Sequence, residues 1–191
     1  MEEELLAAAT AGDVTELKRL LEKGADANTT DVFGWTPLMW AAAGGFLDAA
    51  AILLAHGGEP NVGDQYRATP LMKACRRGYH KIVKLLLEHG ADVNLADEFG
   101  WTALMRACRR GYQEAVKHLL DHGADMEAAD QYGATPLIMA AAEGHLAVVK
   151  ELLKRGANIR AVDRNNWTAL MWAVSVRHSD VADLLEQCEA K

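Results

Sequence analysis

Six cations stand in two matching blocks of this sequence, Lys73, Arg76 and Arg77 in KACRR and Arg106, Arg109 and Arg110 in RACRR. A guanidinium group presents a planar fork of donors that fits carboxylate and phosphate oxygens, so cations grouped in this way point to an anionic ligand. Aromatic residues are interleaved with them at Trp35, Trp40, Tyr66, Phe99, Trp101 and Tyr132, and Arg67 lies beside Tyr66. Rings of this kind supply apolar anchors and keep water from the polar contacts. A second chemistry is cation–π attraction, for which GWTPLMW provides Trp35 and Trp40 and NWTALMW provides Trp167 and Trp172.

Other chemistry can be set aside by spacing. His56, His89 and His122 recur at an interval of 33 residues. Such an interval puts them in separate structural units roughly 10 Å apart, too far for the ~2 Å bonds of one ion. They read instead as residues near helix C-termini, where an imidazole favours the helix dipole. Cys75 and Cys108 also occupy equivalent places of neighbouring units, beyond the ~7 Å Cα separation that a disulfide tolerates. They are expected to be reduced, buried thiols without metal, and Cys188 stands alone. Phosphate-cradling glycine loops, H-E-x-x-H and C-x-x-C are all missing from the sequence. The expectation is therefore a protein that is not an enzyme, with no catalytic residue, cofactor or metal site.

The elements that must position the cations are written in the same repeating text. DQYRATPLMKACRRGYHKIVKLLLEHGADVNLA, beginning at Asp64, is followed directly by DEFGWTALMRACRRGYQEAVKHLLDHGADMEAA. Aspartates fall at 31, 64, 97, 130 and 163 and threonines at 36, 69, 102, 135 and 168. An unbroken period of this length marks a solenoid. The units are 31–63, 64–96, 97–129 and 130–162, flanked by capping units at 1–30 and 163–191. Glu2, Glu3 and Glu4 suit the positive end of a first helix, and Asp183 and Glu186 replace the Lys84 and Leu87 of an earlier unit, as a polar end face requires.

Within one unit, Thr69 and Pro70 start a short helix as N-cap and first helical residue. Leu71, Ala74 and Cys75 form its buried stripe and Gly78 ends it. A second helix, His80–His89, buries Ile82, Val83, Leu85, Leu86 and Leu87, and Gly90 closes it in a left-handed turn. The remainder is a finger whose tip carries Gly34, Gly100 or Gly133, with Asn166 acceptable there. Arg67 at the same place predicts either an altered turn or a side chain wanted there.

T-P-L, A-x-x-G and L-L-x-x-G-A-D-V-N resemble ankyrin repeats, and the resemblance covers essentially the whole chain. It implies an all-α solenoid of helix-turn-helix units joined by β-hairpin fingers, a single repeat domain that binds protein partners. It also implies that the fingers and first helices line a concave groove, where the positions named above would project. Two departures stand out. The histidine of the family's T-P-L-H is replaced by Met39, Met72, Met105, Ile138 and Met171, which predicts an apolar contact in place of a hydrogen bond. The asparagine kept as Asn28, Asn61 and Asn94 becomes Glu127 and Arg160, which predicts weaker finger order in the later units.

The functional expectation is a groove for an acidic or phosphorylated segment, because like charges stacked in neighbouring units repel one another without an anion. Trp35 and Trp40 also look like the aromatic cage with which ankyrin repeats of certain histone-lysine methyltransferases hold methyl-lysine. That cage needs an acid and a further aromatic ring, where this sequence has Ala43 and Lys73. The remaining alternative is an engineered or structural scaffold without an evolved partner. The unbroken spacing is compatible with an engineered or reconstructed array, although seven methionines and three cysteines are unlike a minimal consensus.

Bulk properties agree with a soluble interaction module. With 191 residues, half of them hydrophobic, the chain can bury a core, and its net charge of −7 argues against nucleic acid or anionic lipid as the general partner. No charged-then-apolar leader opens the sequence and no apolar run approaches the ~18 residues of a membrane span. An elongated monomer in the cytoplasm or nucleus is expected.

Overall fold

Five threonines set the register of the molecule. In the computed structural model, which describes residues 1–190, the hydroxyls of Thr36, Thr69, Thr102, Thr135 and Thr168 each accept the N–H three residues on, at 3.2–3.4 Å. Each thereby satisfies one of the orphan donors of a helix start. The helices they begin are α3 (Pro37–Gly44), α5 (Pro70–Arg77), α7 (Ala103–Arg109), α9 (Pro136–Ala142) and α11 (Ala169–Ser175). Each is followed by an antiparallel partner, α4 (Leu47–Ala55), α6 (His80–Glu88), α8 (Gln113–Asp121), α10 (Leu146–Lys154) and α12 (Ser179–Glu189). With α1 (Glu2–Ala11) and α2 (Val14–Glu22), the described residues form six helical pairs.

The pairs stack in two layers. First helices contact first helices and second helices contact second helices, and the first helices approach one another more extensively. Small side chains make that approach possible, since Ala41, Ala74, Cys75, Ala107, Cys108 and Ala140 are all fully buried between first helices. The stack therefore bends with its first helices on the inside. Larger residues such as Leu53, Ile82, Leu86, Leu119 and Leu152 fill the space beneath the second helices. The residues at the family's histidine position join this core, with Met39, Met72, Met105 and Ile138 buried, and Met105 Sδ receives the Thr102 N–H at 3.5 Å.

The seam between units explains why the second helices after α2, which Asp13 caps, lack side-chain caps. Their N-cap residues are Phe46, Tyr79, Tyr112, His145 and His178, none of which caps its own helix. Each ring instead lies on the glycine that ends the first helix of the preceding unit. At Gly78, which has φ +78°, a Cβ would come within 2.7 Å of the Tyr112 ring. The position thus excludes a side chain twice, by backbone conformation and by the ring laid over it. At the corresponding place in the last pair stands Arg177, also left-handed at φ 64°, and no ring of the described residues covers it.

The fingers are hairpin turns rather than extended ladders. Among the described residues they contain only isolated antiparallel bridges, Ala96 with Thr102 and Val162 with Thr168. Their geometry is held by the repeated aspartate, as in Asp64, whose Oδ1 accepts the N–H groups of Tyr66 and Ala68 at 2.9 Å each. Adjacent fingers are joined by backbone bonds from Gln65, Glu98, Gln131 and Arg164 to the carbonyls of Phe33, Tyr66, Phe99 and Tyr132. Arg67 does not alter its turn: it adopts φ 63° and donates to the Asp64 carbonyl at 2.7 Å, as Gly34 does to Asp31 at 3.0 Å. The same strained conformation is simply imposed on a residue with a Cβ.

A second row of bonds runs beneath the fingers. Asn61 donates to the Gly90 carbonyl at 3.0 Å and accepts from Asp92 N–H at 2.7 Å, and Asn28 and Asn94 repeat the pattern. Glu127 retains the accepting half, 2.8 Å from Asn158 N–H, but a carboxylate cannot supply the other bond. The unit has one side-chain contact fewer beneath its finger. His56, His89 and His122 do close their helices, each Nδ1–H donating to the carbonyl four residues back at 2.8–2.9 Å.

Candidate functional site

The groove is organised by the second oxygen of each finger aspartate. Nine residues after it, on the inner face of the first helix, stands the side chain able to reach that oxygen. Trp40 Nε1 donates to Asp31 Oδ2 at 3.0 Å, Lys73 Nζ to Asp64 Oδ2 at 2.6 Å, and Trp172 Nε1 to Asp163 Oδ2 at 2.9 Å. Arg106 makes the same contact with Asp97. In the remaining unit the position is Met139, which has no donor to offer.

This arrangement revises the row of six cations. Lys73 and Arg106 are largely enclosed, and their charges are neutralised by Asp64 and Asp97, whose side chains are buried. They build the groove wall rather than standing as free cations in it. Arg109 pairs with exposed Glu143 at 3.2 Å, a contact of little energetic weight. Among the described residues Arg76, Arg77 and Arg110 form no ion pair within 4.0 Å.

The Asp64–Lys73 pair leaves an electrostatic mark. Burial tends to raise the Asp64 carboxyl, but the Lys73 ammonium and the N–H groups of Ala68 and Tyr66 outweigh it and hold the group below the usual carboxylate range. Burial also lowers the Lys73 ammonium, an effect that Asp64 only partly offsets. The two directions agree physically: the pair is favourable, yet a lysine withdrawn from water still loses its proton more readily than a free one. Asp163 is likewise held low, burial being outweighed by the Trp167, Trp172 and Asn165 donors. Cys75 and Cys108 are fully buried and their thiols are pushed far up by desolvation, so neither is poised as a nucleophile.

Trp35 and Trp40 form a tilted pair with centroids 4.5 Å apart. Lys73 Nζ lies 4.0 Å from the Trp35 centroid. The chain's own ammonium thus occupies the aromatic face at which a methyl-lysine cage would receive its ligand. Trp167 and Trp172 repeat the pair at 5.0 Å.

Three hollows follow one another along the groove. One of about 140 Å³ brings together Tyr66, Lys73, Arg76, Phe99 and Arg106. The next, about 250 Å³, is lined by Arg76, Trp101, Arg106, Arg109 and Arg110 and by no carboxylate. Arg106 Nε is buried without an acceptor. A third, about 330 Å³, contains Trp101, Arg109, Tyr132, Ile138, Met139 and Trp172 together with Asp130, Glu143, Asp163 and Asn165. Arg67 at a finger tip and Arg77 on α5 line none of the three.

The third hollow was not singled out by sequence reasoning, although the signal existed. Only Met139 breaks the row of donors nine residues after each aspartate, and that break opens the space beside Asp130. Arg109 lies 5.2 Å from the Trp101 centroid and forms the boundary between the second and third hollows.

Fold and groove together define a helical repeat stack with a continuous inner face built from fingers and first helices. The chain belongs to the ankyrin repeat family: the family description "Ankyrin repeats (3 copies)" matches residues 5–97, 57–130, 90–163 and 127–191. The structure is similar to the crystal structure of EF0377, an ankyrin repeat protein, with a TM-score of 0.91, 28% identity and 98% of each chain covered. It is also similar to an ankyrin repeat domain from Acinetobacter baumannii AYE, with a TM-score of 0.89, 31% identity and 97% of each chain covered. No curated protein matches the sequence. Ankyrin repeats are generally protein-binding modules, and among the described residues no helix is long and apolar enough to cross a membrane.

Proposed function

We propose that this protein is an interaction module that captures an acidic or phosphorylated protein segment in the middle of its groove. The observation that carries this reading is the hollow of about 250 Å³ where Arg76, Arg106, Arg109 and Arg110 converge beside Trp101 with no acid among them. An oxyanion in this place would accept from the exposed guanidinium groups and relieve the repulsion among them. Tyr66, Phe99 and Tyr132 project from the finger tips as exposed rings, suited to covering the apolar parts of a bound segment. The methyl-lysine reading of Trp35 and Trp40 is disfavoured because Lys73 already lies on Trp35.

The test uses fluorescein-labelled peptides rich in aspartate, with and without phosphoserine, in a polarisation assay. Binding is expected to weaken steeply between low and physiological salt, since screening acts over ~8–10 Å under those conditions. The double variant Arg76→Glu, Arg110→Glu should lose at least about 100-fold in affinity, two charge-assisted contacts being worth ~1.5–3 kcal/mol each. Its unfolding midpoint should match the parent's because both side chains are exposed and unpaired. Binding that is indifferent to salt and to both reversals would refute the reading, as would preference for a lysine-rich control peptide.

A further inference from the structure

We propose that the hollow beside Asp130 receives the ammonium group of a lysine contributed by a bound protein segment. The reasoning starts from a contact that the chain makes with itself. Lys73 Nζ lies 2.6 Å from Asp64 Oδ2 and 4.0 Å from the centroid of Trp35, a ring of the preceding finger. Two units further along, Asp130 stands in the place of Asp64 and Trp101 in the place of Trp35, but the lysine is replaced by Met139. The acceptor and the aromatic wall recur, while the cation that joins them does not: Arg109 and Arg106 lie over Trp101 at 5.2 and 5.7 Å from its centroid, but they pair with Glu143 and Asp97 rather than with Asp130.

Asp130 is only 8% exposed. Its Oδ1 accepts the Tyr132 and Ala134 N–H groups at 2.8 and 2.9 Å. Among the described residues no donor reaches Oδ2, whereas each of the other four finger aspartates has one. A carboxylate oxygen that lines the hollow and lacks a donor from its own chain is available to accept from a cation. With Oδ1 already committed to two bonds, a single oxygen is presented, which the point donor of a lysine can take as Lys73 does at Asp64. Trp101, Tyr132, Ile138 and Met139 supply apolar walls for the methylene stem.

Charge in the hollow agrees. Asp130, Glu143 and Asp163 face it against one cation, Arg109, which donates to Glu143 rather than to Asp130. The proposal goes beyond the anion-binding reading and does not depend on it. A partner carrying an acid and a lysine at suitable spacing would engage both hollows.

The experiment follows the indole N–H signals of the protein by NMR during titration with Nα-acetyl-lysine methylamide, using the norleucine analogue as control. Saturable shifts are expected at Trp101 and Trp172, with the norleucine compound at least about ten-fold weaker because it lacks the charge. Asp130→Asn should remove the difference while its amide oxygen still holds the finger turn. Met139→Lys should place an ammonium there from within, as Lys73 does, and abolish the response in a folded protein. The double variant Arg76→Glu, Arg110→Glu should leave the response intact, which separates this site from the anion site. Equal shifts with norleucine, no saturable shift, an undiminished response in Met139→Lys, or shifts centred on Trp35 and Trp40 would each overturn the proposal. Shifts driven by protein concentration alone would assign the hollow to a second copy and overturn it as well.

Discussion

At the scale of single residues, the finger aspartate has two tasks divided between its two oxygens. Oδ1 fixes the turn, and Oδ2 selects a partner from the next helix. In the Asp64 unit this yields a nearly buried ion pair with Lys73. Removing one member of such a pair costs more than the pair contributes, because the survivor remains enclosed and unpaired. Asp64→Asn is therefore expected to lose about 2–4 kcal/mol at neutral pH, whereas Lys73→Met, which copies the arrangement at Met139, should lose less. The pH dependence has a definite sign. A carboxyl whose folded value is depressed contributes stability above its unfolded value near pH 4, and that contribution is lost as pH falls through the folded value. Urea unfolding between pH 5 and pH 2 should therefore show a smaller loss of stability in Asp64→Asn than in the parent. Equal slopes would mean that the pair is not coupled to folding.

At the scale of helices and turns, most of the architecture was legible because its causes are local. Threonine caps, the prolines after them and helix-ending glycines act within a few residues, and the sequence displays them at their true places. The partners of the finger aspartates were not legible in the same way. Lys73 and Arg106 look like surface cations until the finger folds back over its helix, and Met139 looks like one more apolar residue. The role of the rings was hidden for a similar reason: Tyr112 packs on Gly78 from the next unit, 34 residues away in sequence. Gly78 and Gly90 separate the two costs of a side chain at left-handed positions. Both have positive φ, but a Cβ at Gly90 meets nothing within 4 Å, whereas one at Gly78 meets the Tyr112 ring at 2.7 Å. Gly90→Ala should cost about 1 kcal/mol from backbone strain alone. Gly78→Ala should cost a further ~1–3 kcal/mol, the range for overpacking. Equal losses in chemical denaturation would show that the ring moves aside without penalty.

At the scale of the whole molecule, what a repeat position buries is decided by the next unit rather than by its own. Met72 and Met105 are 1% and 0% exposed, yet Met171, at the same place in the last pair, is 51% exposed. Val174 is 56% exposed, although the equivalent Cys75 and Cys108 are fully buried. In a stack whose stability is a sum of unit terms and nearest-neighbour interfaces, identical chemistry should therefore have opposite consequences in the middle and at this end. Met72→Lys places an ammonium between two units where the nearby Asp64 and Asp97 are already engaged by Lys73 and Arg106, and a loss of at least about 3 kcal/mol is expected from the buried charge and lost packing. Met171→Lys exposes its charge to water and should change stability by no more than about 0.5 kcal/mol, as ordinary surface substitutions do. Thermal and urea unfolding of the two variants beside the parent supply the comparison. A large loss for Met171→Lys would mean that this face is covered in solution, and a small loss for Met72→Lys would mean that the units are coupled less tightly than their buried interface implies.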